Sequence, residues 1–473
     1  MPEPRRPFRR YDLDQTTIVP HDLRDWLPEG HLAFFMMEIM EHIDLEAFYA
    51  YHDNDGRGCV PYDPRMMVTV ILYSYATGVN SARQMARMLY SDVPLRFLAG
   101  DNFPDHRTIN VFRVRHADAL GAVLRQTVDL AREAGLARMG IVALDGTKMK
   151  ANASLAKNRD RDAIDEKIKR DFDEYLKRAQ ELDRLEDEEF GEDGDGFIIP
   201  ASFGGRKEMR RRLDEAKKQI DAEEARLRQE EGEKADARKT KEEEAAKQGK
   251  KLRGRKPKQP DEKQTQLKPV LRNITDADSR SMKSAKGYEQ AYNLQCMTDC
   301  GSHIILDVDT VQDANDKLQL EPMLDRLIAQ HGRPNAITDD AGYFSAQALK
   351  AALARGVMVF MPSKNRHKLK NVVREGPPPD HLTEVEKMEW IMATPAGRQI
   401  YKLRCSTAEP CFGILKQAMG FRQFVLRGLK KVKLEARLMA AGKNFMRMNI
   451  IKNERKRRGD PLFPQEIGRV VTR

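Results

Sequence analysis

Ile141-Val142-Ala143-Leu144-Asp145-Gly146-Thr147-Lys148 is the stretch around which the chain is organised. An apolar run bounded by Gly140 and Gly146 reads as a short buried strand. It delivers one carboxylate, Asp145, where the strand ends. Two later segments have the character to meet it. Ala336-Ile337-Thr338-Asp339-Asp340 reads as a second short strand that ends in aspartate and runs into Gly342-Tyr343. Glu409 reads as opening a helix, because Pro410 directly after it suits a first turn, where a missing N–H costs nothing, and Gly420 can close that helix. Three carboxylates from two strand ends and a helix form a hard-oxygen site suited to Mg²⁺ or Mn²⁺. A pair of such ions activates a water or a 3′-hydroxyl and stabilises the leaving oxygen of a phosphodiester displacement.

The bulk numbers agree with a polyanionic partner without requiring one. The 473 residues suffice for two or three domains, and the net charge is +10, from 83 Lys and Arg against 73 Asp and Glu. Phosphate neutralisation with counterion release favours such a surplus. The cysteines Cys59, Cys296, Cys300, Cys405 and Cys411 are sparse and odd in number, with no CxxC spacing. They read as buried small side chains in a reducing compartment, neither a disulfide framework nor a zinc site. With no apolar leader and no stretch approaching a membrane span, the sequence predicts a soluble, cytoplasmic, nucleoid-associated protein.

Outward from the Asp145 strand, composition divides the chain. Residues 1–30 form a Pro- and Arg-rich extended arm, and 31–135 a helical region. Within it Pro64 opens one helix, Ser81 caps another, and a third carries Phe112, Arg113 and Arg115. Short helices with exposed arginines suit a helix-turn-helix module, or equally a helical cap on the core. Residues 136–154 and 266–450 form the globular α/β part: strands at 288–298 and 303–310, a helix at 314–329, the Asp340 strand, a helix at 345–355, a strand at 357–361 and a long helix at 432–450. Residues 155–265 form a highly charged insertion with coiled-coil-like seams, Ile168 among the first set and Met209, Leu213, Ala216, Ile220 and Leu227 in the second. It reads as an antiparallel helical hairpin. Its basic end, Gly249 to Lys258, sets Arg253 and Arg255 about a glycine like an AT-hook, although Lys256 interrupts the pattern before Pro257, and a generic disordered basic linker that touches phosphates is the plainer reading. A basic tail closes the chain at 451–473.

Each chosen residue has a plainer alternative. Asp145 before Gly146 could be a turn aspartate. Asp339 competes with Asp340, since strand alternation lets only one face the site, and the spacing to Gly342-Tyr343 favours Asp340. The three segments together, in this order, resemble a DDE transposase of a bacterial insertion sequence. Leu144 to Lys148, Asp340 to Ser345, and the block holding Tyr401, Arg404, Glu409 and Lys416 carry the resemblance, the last being similar to the family's Tyr-Arg-Glu-Lys signature. Four residues separate Arg404 from Glu409 where the commonest form has three.

The resemblance implies an RNase H-like core in which Asp145, Asp340 and Glu409 hold two Mg²⁺ or Mn²⁺ ions. It implies that Tyr401, Arg404 and Lys416 contact DNA phosphates; Arg422 and Arg427, from their position just after that helix, and Arg253 and Arg255, from the AT-hook-like pattern, are expected to add further contacts. It further implies strand cleavage and strand transfer on double-stranded DNA, at terminal inverted repeats and target, by at least a homodimer. A nuclease that cuts without joining, and a non-catalytic DNA-binding protein, are the rival readings.

Overall fold

The computed structural model describes residues 22–50, 60–171, 174, 203–247, 269–284, 287–363 and 372–460. Most of the N-terminal arm and Arg253 and Arg255 of the basic insert end therefore lie outside the described residues.

The sheet is built on β1 (Ile141–Lys150). On one side it pairs antiparallel with β3 (Gly287–Asp299), from Val142 opposite Asp299 to Lys150 opposite Ala291. On the other it runs parallel to β5 (Ala336–Thr338), and β5 runs parallel to β6 (Met358–Phe360). The far edge of β3 is shared by β2 (Arg280–Ser284) and β4 (Ile305–Val311), both antiparallel to it. Crossing the sheet gives β4 and β2, then β3, β1, β5 and β6, flanked by helices. This mixed α/β sheet is the RNase H-like architecture the sequence leads one to expect.

Val142, Ala143 and Leu144 are buried because a strand with parallel neighbours is covered on both faces. The parallel partner β5 stops at Thr338, so β1 leaves that cover at Asp145 while its antiparallel pairing with β3 continues to Lys150. Asp145 thus lies within the strand and not at its end. Gly146 bounds the apolar run but does not interrupt the ladder.

The Leu429–Arg458 helix crosses one face of the sheet. It buries Val432, Leu434, Leu438, Phe445 and Met448, and Asn444 closes an exposed strand edge. Its amide donates to the Ile305 carbonyl and accepts from the Ile305 N–H, both at 2.8 Å, as a neighbouring strand would. The N-terminal helices pack on this same helix and share one continuous core with the sheet. The Pro64–Ala76 helix comes so close to Gly442 that a Cβ there would lie 2.7 Å from the Ala76 nitrogen. Arg113 is buried, with Nη1 donating to the Tyr75 hydroxyl and the Asn80 carbonyl, so it belongs to this packing and not to an exposed basic face. The Ala82–Ser91 helix begins after Ser81 without a hydrogen bond from the serine side chain.

The charged insertion includes helix at 161–171 and the helix Phe203–Lys247. Ile164 from the first packs with Leu213, Ala216 and Ile220 of the second and with Ile274 in a small separate core, along part of the seam read from the sequence. Glu223 ties this insert to the body through Arg272 and Arg280. The helix read as 314–329 begins only at Leu320 and leaves Leu318 exposed, because 312–319 forms turns ahead of it. Cys296 and Cys411 are buried, but Cys405 is exposed. Among the described residues no helix is long and apolar enough to cross a membrane.

Candidate active site

β5 ends at Thr338, and Asp340 follows two residues later in the turn beyond it, near enough to Asp145 on β1 for their charges to interact. The two carboxylates feel each other: burial pushes the Asp145 carboxyl up from its ordinary value, Arg404 opposes this, and Asp340 and Asp316 add to it. Arg404 Nη1 donates to Asp145 Oδ2 at 3.2 Å. Asp340 Oδ1 accepts from the Gly342 N–H at 2.7 Å, the aspartate turn that explains the glycine two residues on.

Alternation did not exclude Asp339, because β5 ends at Thr338 and the chain leaves strand geometry there. Asp339 is wholly buried, and among the described residues both its carboxylate oxygens lack a hydrogen-bond partner. Burial holds its pKa well above the usual carboxylate range, with Asp340 and Asp145 contributing and Arg404 opposing. Sequence reasoning weighed this residue and passed it over. Its signal was the doubled Asp339-Asp340 at a strand end.

A second group locks the backbone around Asp145. The buried Tyr343 hydroxyl donates to Gln295 Oε1, and Gln295 Nε2 donates to Asp316 Oδ1 at 2.7 Å. Asn293 Nδ2 donates to the same oxygen at 2.6 Å, and Lys148 Nζ lies 3.4 Å from it. Gly146 sits in the middle: a Cβ there would meet Gln295 Nε2 at 2.5 Å, Asp316 Oδ1 at 2.9 Å and the Tyr343 hydroxyl at 3.0 Å. Tyr343 therefore holds the Asp340 turn against β1 through groups that leave no room for a side chain. Gly146→Ala is expected to lower stability by about 1–2 kcal/mol through overpacking and to reduce turnover about tenfold. Thermal melts and initial rates measured together check this, and an unchanged rate would show that the network does not position the carboxylates. Asp316, its hub, was missed because the helix was read as beginning before it. The polar Asn315-Asp316 pair is the cue for a turn there.

The helix carrying the remaining candidates runs from Pro395 to Gly413, capped by the Thr394 side chain on the Gly397 N–H, and continues as a π-helical turn over Ile414–Ala418. Glu409 is thus near its end and not its start, and Pro410 lies inside the helix, where the i−4 carbonyl loses its donor. The wider turn that follows is tolerated next to such a break. The side of this helix that meets the sheet carries Arg404 on Asp145 and Cys411, whose Sγ is 3.9 Å from Cys296 Sγ. At about 100° per residue, Glu409 lies about 140° round the helix from Arg404. It is exposed, on a side of the helix turned away from the Arg404–Asp145 contact. Among the described residues no three His, Cys, Asp or Glu side chains converge as a metal-binding group.

Tyr401 is half-buried and interacts with Arg404. Lys416 reaches back from the π turn to β1, with Nζ donating to Thr147 Oγ1 at 2.5 Å and to the Lys148 carbonyl at 3.0 Å. Its burial pushes the ammonium pKa down, with Glu289 opposing. Arg422 and Arg427 are exposed, and Arg427 Nε donates to the Asn152 carbonyl at 2.9 Å. The structure thus groups Asp145, Asp340, Asp339, Arg404 and Tyr401, places Lys416 further along β1, and leaves Glu409, Arg422 and Arg427 outside.

Two family profiles match the chain. Residues 21–115 match "Transposase domain (DUF772)", covering helices that pack on the long C-terminal helix. Residues 373–449 match "Transposase DDE domain", covering Tyr401, Arg404, Glu409 and Lys416. Searches of curated proteins and of solved structures return no match.

Proposed function

We propose that this chain, a DDE transposase of the insertion-sequence type, cuts DNA strands at the ends of its element and joins them to target DNA with the help of divalent cations. The observation that supports the reading is Asp145 on β1, just past the end of its parallel pairing with β5, with Asp340 in the turn after β5 and Arg404 and the buried Asp339 carboxylate beside them.

The donor set suits Mg²⁺ or Mn²⁺. It is carboxylate oxygen throughout, and Asp339 carries two buried oxygens with no donor among the described residues. Asp145 and Asp340, with the Asp339 oxygens beside them, would hold the metal, which when bound supplies Lewis acidity for phosphodiester displacement; the exposed Glu409, expected as the third ligand, stands outside this group. The chain's own residues supply position and charge. Asp316, Gln295 and Tyr343 fix the backbone on which the two aspartates sit. Arg404 balances the carboxylates and, with Tyr401 and Lys416, offers donors to a phosphate, while Arg422 and Arg427 extend the basic surface and Arg253 and Arg255 would add contacts from the insert end. Recognition of two DNA ends implies at least a homodimer at work, in the cytoplasm where its DNA lies.

Labelled DNA carrying the element's own ends, incubated with the chain and Mg²⁺ or Mn²⁺ or with a chelator, tests the reading. Cleaved and joined products that need the metal support it. Cleavage without joining would favour a nuclease, and binding with no product a non-catalytic DNA-binding protein.

A further inference from the structure

Beyond Asp145, β1 runs five residues further to Lys150, and there it borders a cavity of about 530 Å³. At about 3.4 Å per residue the two points are about 17 Å apart, the rise of about five nucleotides along one strand of B-DNA. The cavity's volume is in the range of small-ligand sites, roughly 300–1,000 Å³. Its walls carry Lys150, Lys157 and Arg427 against one carboxylate, Glu289.

Three features distinguish this cavity from a generic basic surface. Its amide side chains are committed to the wall: Asn152 Nδ2 donates to the Val425 carbonyl at 2.7 Å, and Gln423 Nε2 to the Ala151 carbonyl at 3.0 Å. Arg427 is oriented by Asn152, donating from Nε to its carbonyl and from Nη2 to its Oδ1 at 3.3 Å. Tyr288, held on β3, exposes 65% of its surface at the rim. Lys416 reaches β1 between the carboxylates and the cavity, with Nζ donating to Thr147 Oγ1 and to the Lys148 carbonyl.

We propose that this cavity seats one nucleotide of an unpaired DNA strand that leaves the carboxylate site along β1. Lys150, Lys157 and Arg427 neutralise its phosphates, and the rigid Tyr288 ring stacks on the base. Glu289 accepts from an N–H on the base edge, an exocyclic amino group or a ring N–H that an unpaired base exposes. A duplex end cannot present a base this way, so the seat favours a frayed or single-stranded end over a blunt one. The proposal rests on the transposase reading, since it presumes DNA at the carboxylates.

Fluorescence anisotropy with the full chain tests it, in chelator so that nothing is cut. Two labelled probes of the same sequence are compared, a blunt duplex and a duplex with a five-nucleotide unpaired end. Wild type is expected to bind the unpaired end about tenfold more tightly. Tyr288→Ala should erase that difference and leave blunt-duplex affinity unchanged, and Tyr288→Phe, which keeps the ring, should retain it. Lys150→Gln should lower the salt dependence for the unpaired probe by about one unit of slope. The seat is overturned if wild type binds both probes alike, if Tyr288→Ala keeps the preference, or if Tyr288→Phe loses it as Tyr288→Ala does. It is also overturned if Tyr288→Ala weakens both probes equally, which marks a duplex contact. If wild type binds neither probe, nor DNA carrying the element's ends, the transposase reading itself falls and takes the seat with it.

Discussion

Asp145→Asn is expected to lower metal-dependent strand cleavage on the order of 10³-fold while leaving the fold intact. The side chain keeps its shape, and Arg404, whose Nη1 is 3.2 Å from Asp145 Oδ2, can donate to an amide oxygen in the same place. β1 also keeps its ladder, because the pairing of residue 145 with Cys296 uses backbone atoms only. What disappears is a negative oxygen on the strand beside Asp340. A carboxylate that only fixed a turn would behave differently: its amide substitute would keep most of the activity, since asparagine serves turns as well as aspartate does. Cleavage of labelled ends in Mg²⁺, measured alongside a thermal melt, separates the two. A rate within tenfold of wild type would remove Asp145 from the chemistry. A lower melting temperature with a lost rate would assign it to the fold.

Much of this site was legible because strand chemistry is local. The apolar run at 141–144 and the acidic strand end at 339–340 are each set by their own residues and their burial. The mixed sheet followed from two strands joined by the Asp299–Ser302 turn, where Asp299 Oδ2 accepts from both the N–H and the hydroxyl of Ser302 at 2.8 Å. What the sequence hid were relations between elements. Nothing near Asp145 says that its parallel neighbour stops at Thr338 while its antiparallel one continues, yet that difference in length uncovers the site. Nor does Pro410 announce itself as interior: proline fits a first helical turn better, and only packing of the preceding turns on the sheet carries the helix through it. Gln295 and Asn293 were read only as strand residues, and their convergence on Asp316 depends on how β1 and β3 meet.

Asp339→Asn is expected to make the protein more stable and less active. The carboxylate is fully buried and neither oxygen has a partner among the described residues, so at neutral pH the fold carries a charge it does not solvate or holds a proton that the unfolded chain would release. Burial, with Asp340 and Asp145 near, raises the pKa in the folded state. A carboxyl raised in this way contributes stability that is complete below its unfolded pKa of about 3.9 and is lost as pH rises through the folded value. From about pH 4 upward wild type therefore loses stability at this position, whereas asparagine does not titrate. The variant should exceed wild type by about 2 kcal/mol at pH 8 and approach it at about pH 4, with chelator present so that no cation contributes. Cleavage with Mg²⁺ should fall about 100-fold, because the same two oxygens complete the negative centre beside Asp145 and Asp340. Stability given up at one buried carboxylate is what a site for cations requires of its fold. Denaturant unfolding at the two pH values decides the matter, and an advantage that is absent at pH 8, or equally large at about pH 4, would mean that Asp339 is solvated or paired in solution and has no such role.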